Sequence, residues 1–207
     1  MKPIWKFERN DMDVVEGPND AGVNIFTGDR AGGLVREVLQ NSIDARRFDD
    51  RPVEVSFRIA QIPVADFDVY GLMRHLEAAC NSSDNDDRHR KQFRRGLDAL
   101  NDAKASGYLS ALVITDKNTT GAPDKDGRKD KWRSLTRAQG RSAKDKKDSG
   151  GSFGIGKNAA FTVADMRTVL YSTAYNDGNL LMRRYAGKSI LVSHEVGGGD
   201  ISLQAIL

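Results

Sequence analysis

The sequence predicts an α/β fold, a two-layer sandwich in which helices cover one face of a mixed, mostly antiparallel sheet. Apolar residues recur at helical spacing over 33–47 and twice within 64–107, whereas the apolar runs in 108–115 and 166–207 are typical of strands. Strands joined by short turns pair antiparallel, and their apolar face needs a layer of helices to cover it. A chain of 207 residues is long enough to form one such domain with its own core.

Composition and charge exclude several classes of protein. The formal net charge is only +3, so the whole chain is not a polycation built for nucleic acid. Cys80 is the single cysteine, which rules out an internal disulfide, and His75, His89 and His194 are scattered without zinc-ligand spacing. No signal peptide opens the sequence and no apolar run approaches membrane-spanning length. We therefore expect a cytoplasmic protein that has no membrane partner.

The first half of the chain alternates short strands and helices. Residues 1–33 are predicted to be an irregular lead-in in which Trp5 and Phe7 contribute a short edge strand. The helix over 33–47 is predicted to end before Pro52, because proline disfavours helical geometry at the residue preceding it. Apolar and polar residues then alternate over 53–58, as in a half-buried strand.

Three polar side chains share one stripe of the helix over 33–47. Glu37, Asn41 and Asp44 have the spacing i, i+4, i+7, which places them on one side. The apolar residues predicted to face the core are Val35, Val38, Leu39 and Ile43. An ordinary amphipathic helix would show the same pattern. A carboxylate and a carboxamide one turn apart also supply the oxygen ligands that a magnesium ion carrying phosphates prefers.

A pair of helices is predicted over 62–107, interrupted by a polar segment at 81–87. The second helix begins with a basic run: Arg88, Arg90, Lys91, Arg94 and Arg95. The run is typical of a solvated helix face, and the alternative is a surface that contacts a partner or nucleic acid.

The apolar strand over 108–115 is followed directly by Asp116. A buried aspartate needs a hydrogen-bond donor, and the exocyclic amine of adenine is one such donor. The alternative is an aspartate that only caps the following loop.

A long polar segment, 117–150, is predicted to be a mobile lid. Between positions 124 and 148 it contains ten Lys or Arg and five Asp. So long a stretch without a predicted element is typical of a functional loop or of disorder. Trp132 and Leu135 are its only large apolar residues from 122 to 149 and are candidates to dock it. Its charge fits a lid over a polyphosphate, and nucleic-acid contact is the alternative.

The lid ends in closely spaced glycines that lead into a helix, Gly151-Ser152-Phe153-Gly154-Ile155-Gly156-Lys157. Such a segment lets backbone N–H groups approach phosphate oxygens at the positive end of the helix dipole. It is not a P-loop, because Asn158 stands where a magnesium-binding Ser or Thr is required and the charged run at 144–148 cannot form the preceding buried strand.

The order of these motifs resembles the GHKL ATPases, the Bergerat-fold family that includes gyrase B and MutL. Glu37-x3-Asn41-x2-Asp44-Ala45 is similar to the family's N-box, Asp116 falls where its Asp-x-Gly-x-Gly motif begins, and the glycines at 151–156 are similar to its Gly-x-x-Gly-x-Gly lid motif. The resemblance covers about residues 34 to 165. It implies a Bergerat fold, ATP as substrate and Mg²⁺ as cofactor.

The resemblance also implies roles for individual residues. Glu37 would be the general base, Asn41 would complete the Mg²⁺ shell with support from Asp44, and Asp116 would read adenine. The nucleotide-binding residues would be Asn41, Asp44, Asp116, Asn118, Gly121, Gly151, Phe153, Gly154, Ile155, Gly156 and Lys157. The chain departs from the family at Asn118 and Thr120, which stand where glycines are usual. Asparagine tolerates left-handed backbone, so the turn can survive at Asn118. No late-strand threonine equivalent to the family's adenine-supporting one is evident.

The last part of the chain is predicted to form strands at 166–175, 179–185, 189–194 and 201–207, with a hairpin turn at 176–178. Because the final strand pattern stops abruptly, we expect a longer protein with a downstream domain or effector. The predicted function is slow ATP hydrolysis that drives a lid and homodimer switch. The alternative is a non-catalytic nucleotide sensor or nucleic-acid-binding module. A weaker resemblance, to bacterial proteins with a similar helix and Asp-x-Asn-Thr-Thr-Gly loop, suggests antiviral defence.

Overall fold

The chain is a mixed α/β structure whose described strands pair in two antiparallel sheets. The computed structural model describes residues 5–9, 28–82, 87–123, 131–136, 158–196 and 201–206. The strands are β1 (Lys6–Arg9), β2 (Glu54–Pro63), β3 (Tyr108–Lys117), β4 (Thr168–Asp177), β5 (Leu180–Glu195) and β6 (Ile201–Ile206). The helices are α1 (Arg30–Asp44), α2 (Val69–Asn81), α3 (Asp87–Ser106), α4 (Lys131–Thr136) and α5 (Ala159–Val163), with a 3₁₀ turn at Val64–Asp66.

The two sheets differ in size and are not joined by a ladder between described strands. One sheet has four strands in the order β1-β6-β5-β4, and the other is the β2–β3 pair. The single sheet that the sequence suggested is therefore divided, and only the α/β class with antiparallel pairing is confirmed. β1 does form an edge, as its short alternating sequence predicted.

Strand β5 is continuous across a break that its sequence suggested. Residues 179–185 and 189–194 were expected to form separate strands, but Leu180–Glu195 is one strand of 16 residues. Gly187 pairs with Leu170 of β4, so the ladder passes through the expected break. The hairpin between β4 and β5 is confirmed, but its turn lies at Gly178-Asn179 rather than at 176–178, with Gly178 at φ 58°.

The core lies between the α2–α3 pair and the buried half of β5. The pair was predicted, and its inward side chains Leu72, Leu76, Phe93 and Leu100 are fully buried. Leu191 and Val192 of β5 belong to the same cluster. At one edge of the core Trp5 meets Phe67 edge to face, with ring centroids 5.9 Å apart. No helix within the described ranges has the length and apolar character needed to cross a membrane.

The lid segment contains one element in its described part. Lys131–Thr136 forms α4, a short helix that the sequence did not predict. Trp132 is buried, as expected for a docking residue, and Thr136 Oγ1 donates a hydrogen bond of 2.9 Å to the Trp132 carbonyl oxygen.

Candidate nucleotide site

The helix α1 presents the predicted polar stripe. Asp29 caps its N-terminus, since Asp29 Oδ1 accepts a 2.9 Å hydrogen bond from the Gly32 N–H. Glu37 is half-buried, whereas Asn41 and Asp44 are exposed. Among the described residues, the side chains of Glu37 and Asn41 have no hydrogen-bond or ion-pair partner. A carboxylate and a carboxamide one turn apart thus keep their oxygens available for a ligand.

The buried face of α1 is different from the one that the sequence predicted. Val35, Leu39 and Ile43 were expected to face the core, but they are 40%, 41% and 57% exposed. The inward positions are Leu34, Val38 and Ser42, spaced by four residues, of which Val38 is half-buried. The stripe of Glu37 therefore lies beside the packed face.

Ser42 connects α1 to the end of β3. Its hydroxyl is buried and donates a hydrogen bond of 3.2 Å to Asp116 Oδ2. Asp116 pairs with Val55 in the β2–β3 ladder, one position before the strand ends. The carboxylate is exposed, and one bond from Ser42 leaves it acceptor capacity for a second donor. Sequence reasoning missed Ser42, although it lies within the quoted helix motif, because a serine alone carries no signal for such a contact.

The segment after β3 adopts the left-handed backbone that the sequence allowed. Asn118 has φ 58°, so asparagine fills the position where a glycine was expected. Its carboxamide, however, bonds to the turn after α1: Asn118 Nδ2 donates to the carbonyl oxygens of Phe48 and Arg51 at 2.9 Å each. A direct contact between Asn118 and nucleotide stays a prediction, but its amide already has partners.

Gly121 lies against β4. It has φ 65°, and a Cβ atom added there would lie 2.6 Å from the Ala174 carbonyl oxygen. The next residue, Ala122, donates its N–H to Thr173 Oγ1 at 2.8 Å. Thr173 of β4 thus holds the loop that follows Asp116. Local sequence patterns could not predict this contact, because 51 positions separate Thr173 from Ala122.

The helix after the glycine segment packs against α1. Arg30 at the start of α1 donates to the Thr162 carbonyl oxygen of α5 at 3.4 Å. Leu34 of α1 and Phe161 of α5 are both buried. The remaining predicted phosphate-binding residues lie outside the described residues: Gly151, Phe153, Gly154, Ile155, Gly156 and Lys157. The helix that follows the glycine segment, α5, nevertheless contacts α1. The strand that carries Asp116, β3, also contacts α1.

A basic cleft opens beside the candidate site. Its volume is about 420 Å³, and Arg47, Phe48, Arg51 and Lys117 contribute to its lining. The guanidinium carbons of Arg47 and Arg51 lie 4.8 and 5.5 Å from the centre of the Phe48 ring, as in cation–π contacts. Exposed carboxylates offset part of this charge, since Lys117 pairs with Glu54 at 3.2 Å and Arg51 with Asp50 at 3.7 Å.

A magnesium ion fits this donor set only with help from its ligand. In the part of the chain that the structure describes, no three His, Cys, Asp or Glu side chains are grouped to hold a metal. Asn41 supplies one oxygen, and hard Mg²⁺ commonly keeps several waters and takes further oxygens from substrate phosphates. The residues therefore suit Mg²⁺ that arrives with a nucleotide rather than a resident metal.

Two histidines that looked unrelated in the sequence form a buried pair away from α1. His75 Nδ1 of α2 lies 2.9 Å from His194 Nε2 of β5, and His194 Nδ1 lies 2.8 Å from the Val192 carbonyl oxygen. Burial, His194 and Arg74 together lower the pKa of His75 to about 4. Burial also lowers the pKa of His194, against a smaller opposing effect of the bond to Val192. The lowered pKa values favour the neutral form of both rings at pH 7.

Comparisons with protein-family models, with curated proteins and with solved structures found no match to this chain.

Proposed function

We propose that this chain is a GHKL-type, Bergerat-fold domain that binds Mg-ATP and hydrolyses it slowly. The hydrogen bond between Ser42 and Asp116 is the observation that carries the proposal. The bond joins Asp116, the proposed adenine-reading residue, to α1, the helix that carries the proposed general base and magnesium ligand. In the sequence, 72 positions separate Asp116 from Asp44 at the end of that helix. Chance similarity in two unrelated motifs gives no reason for such a contact.

Each side chain has a chemical role in this proposal. The Glu37 carboxylate polarises the attacking water, Asn41 ligates the Mg²⁺ that accompanies the phosphates, and Asp116 accepts a hydrogen bond from the adenine amine. The glycines at 151–156 wrap the phosphates with backbone N–H groups, with Lys157 as a point charge. In the hydrolysis step the water oxygen would bond to the γ-phosphorus while the bond from that phosphorus to the β–γ bridging oxygen breaks, so that ADP leaves. Glu37 would take the proton of the water, and the ion would stabilise the charge that develops on the leaving ADP.

Replacement of Glu37 by Gln tests the hydrolytic role, because it removes the base and keeps the size of the side chain. We expect Glu37→Gln to bind ATP as the parent chain does and to lose turnover by about 10²- to 10⁴-fold, the usual contribution of a general base. Glu77→Gln, an exposed glutamate on α2, is the matched control and should leave turnover unchanged. Equal turnover in Glu37→Gln and the parent chain would contradict the role and leave a nucleotide sensor.

We further propose that nucleotide binding closes the segment 117–150 as a lid and favours a homodimer. The ten Lys and Arg residues between 124 and 148 are potential trypsin cleavage sites. A non-hydrolysable ATP analogue should slow cleavage there and shift the chain toward a dimer in analytical ultracentrifugation. Cleavage that proceeds at the same rate with saturating analogue would contradict the lid.

A further inference from the structure

The carboxamide of Asn118 joins two turns of the chain through both of its polar atoms. Asn118 Oδ1 accepts a hydrogen bond of 3.1 Å from the Phe48 N–H. Its Nδ2 donates to the Phe48 and Arg51 carbonyl oxygens, and the Pro52 carbonyl oxygen lies at 3.4 Å. The turn after α1 is thus held at both of its ends by one side chain.

Backbone hydrogen bonds on either side of Asn118 continue the same connection. The Arg47 N–H donates to the Asn118 carbonyl oxygen at 2.9 Å, and the Thr120 N–H donates to the Ala45 carbonyl oxygen at 2.8 Å. Between them, Arg46 and Thr119 form an antiparallel bridge. The segment after β3 and the segment after α1 therefore make a small ladder of their own.

This ladder lies next to the two elements that carry the proposed ligand-binding residues, the end of β3 and the end of α1. Asp116 is two positions before Asn118, and Asp44 ends α1 just before Ala45. We infer that Asn118 is a positioning residue, which sets the last turn of α1 relative to the end of β3 so that Asn41 and Asp116 reach the same nucleotide. The inference rests on the proposed function and assigns Asn118 to positioning rather than to ligand contact.

Asparagine meets two requirements that other residues meet only in part. Glycine adopts φ 58° without strain but has no side-chain carboxamide. Asn118→Gly therefore keeps the backbone conformation and removes the side-chain hydrogen bonds. Aspartate also tolerates this backbone, but its ionised carboxylate cannot donate and would face the carbonyl oxygens of Phe48 and Arg51. The two variants therefore remove the connection in different ways.

Nucleotide discrimination is the readout that a merely structural role would not change. We expect Asn118→Gly and Asn118→Asp to weaken ATP binding by about tenfold, the equivalent of one or two hydrogen bonds. The ratio of GTP to ATP dissociation constants should fall toward one, because Asp116 no longer has a set position relative to Asn41. Calorimetric titration of ATP and GTP, each with and without Mg²⁺, measures both effects.

Gly107→Ala is the matched control for lost stability. Gly107 has φ 81° at the other end of β3, and a Cβ atom there meets nothing within 4 Å. Its substitution strains the backbone far from Asn118, so it should lower stability and keep the nucleotide ratio.

The outcomes separate the inference from the function on which it rests. A parent chain that binds neither nucleotide contradicts the proposed function itself. A selective parent chain whose Asn118 variants keep its nucleotide ratio contradicts the positioning role alone, as does a Gly107→Ala protein that loses the ratio equally. If Asn118→Gly does not fold, Asn118→Asp carries the same test.

Discussion

Ser42 on α1 donates its buried hydroxyl to Asp116 on β3 at 3.2 Å, across 74 positions of sequence. The bond ties the helix with the polar stripe to the strand that carries the exposed carboxylate. Because Ser42 is nearly inaccessible to solvent, water cannot easily replace this contact.

The first prediction concerns Ser42. Ser42→Ala should lower the free energy of unfolding by about 1 kcal/mol, the typical net value of one hydrogen bond, and should weaken ATP binding through the freed Asp116. Ser110→Ala is the control, since Ser110 makes an exposed hydrogen bond of 2.9 Å with Gln61 on the same β2–β3 sheet. Urea unfolding and ATP titration of both variants measure the difference. Equal effects of the two substitutions on ATP binding would contradict a role for Ser42 in the site.

A second prediction compares two glycines that share left-handed backbone. Gly121 has φ 65° and contacts Ala174, whereas Gly178 has φ 58° and open space around it. Gly178→Ala should cost about 1–2 kcal/mol from backbone strain alone. Gly121→Ala should cost about 1–3 kcal/mol more, because its Cβ would meet a backbone carbonyl that cannot move aside easily. Thermal unfolding of the two variants checks this order, and a smaller loss for Gly121→Ala would contradict the contact with β4.

The third prediction is that acid weakens the fold through the histidine pair. The folded pKa of His75 is about 4 against an ordinary 6.5, and that of His194 is also lowered. The unfolded chain therefore binds protons first as pH falls below 6.5. The stability contributed by the neutral pair is present above pH 6.5 and is lost as pH falls toward the lowered folded pKa values, about 4 for His75.

His75→Asn isolates this effect. Its side-chain amide nitrogen lies about where His75 Nδ1 does and can still donate to His194 Nε2, but it does not titrate. The free energy of unfolding should therefore depend less steeply on pH between 6.5 and 4 than in the parent chain. Urea unfolding at several pH values gives the slope of unfolding free energy against pH for the parent chain and for the variant. Both proteins have the same carboxylates, so the contribution of the carboxylates cancels when the two slopes are subtracted. Identical slopes would show that His75 titrates normally in the folded protein.

Local patterns predicted much of the fold. The spacing of Glu37, Asn41 and Asp44 determined their common stripe because helical geometry depends only on neighbouring residues. The turn at Gly178-Asn179 was predictable to within about two residues for the same reason, since it needs a residue that tolerates positive φ. The left-handed position of Asn118 likewise followed from the preference of a single residue.

Long-range partners account for what the sequence did not predict. Val35, Leu39 and Ile43 have the chemistry of a core face, but the position of α5 decides which side of α1 is covered. His75 and His194 meet across 119 positions, and no local spacing reports such a pair. The division of the strands into two sheets also depends on pairing between distant segments.

Titration of the parent chain with ATP and GTP in the presence of Mg²⁺ tests the central claim most directly. We predict that ATP binds more tightly than GTP, because the proposed contact with Asp116 needs the adenine amine, and guanine presents a carbonyl oxygen there. It also predicts that Asp116→Asn loses this preference while its unfolding midpoint stays close to that of the parent chain. Absence of nucleotide binding, or equal binding of ATP and GTP by the parent chain, would contradict the account.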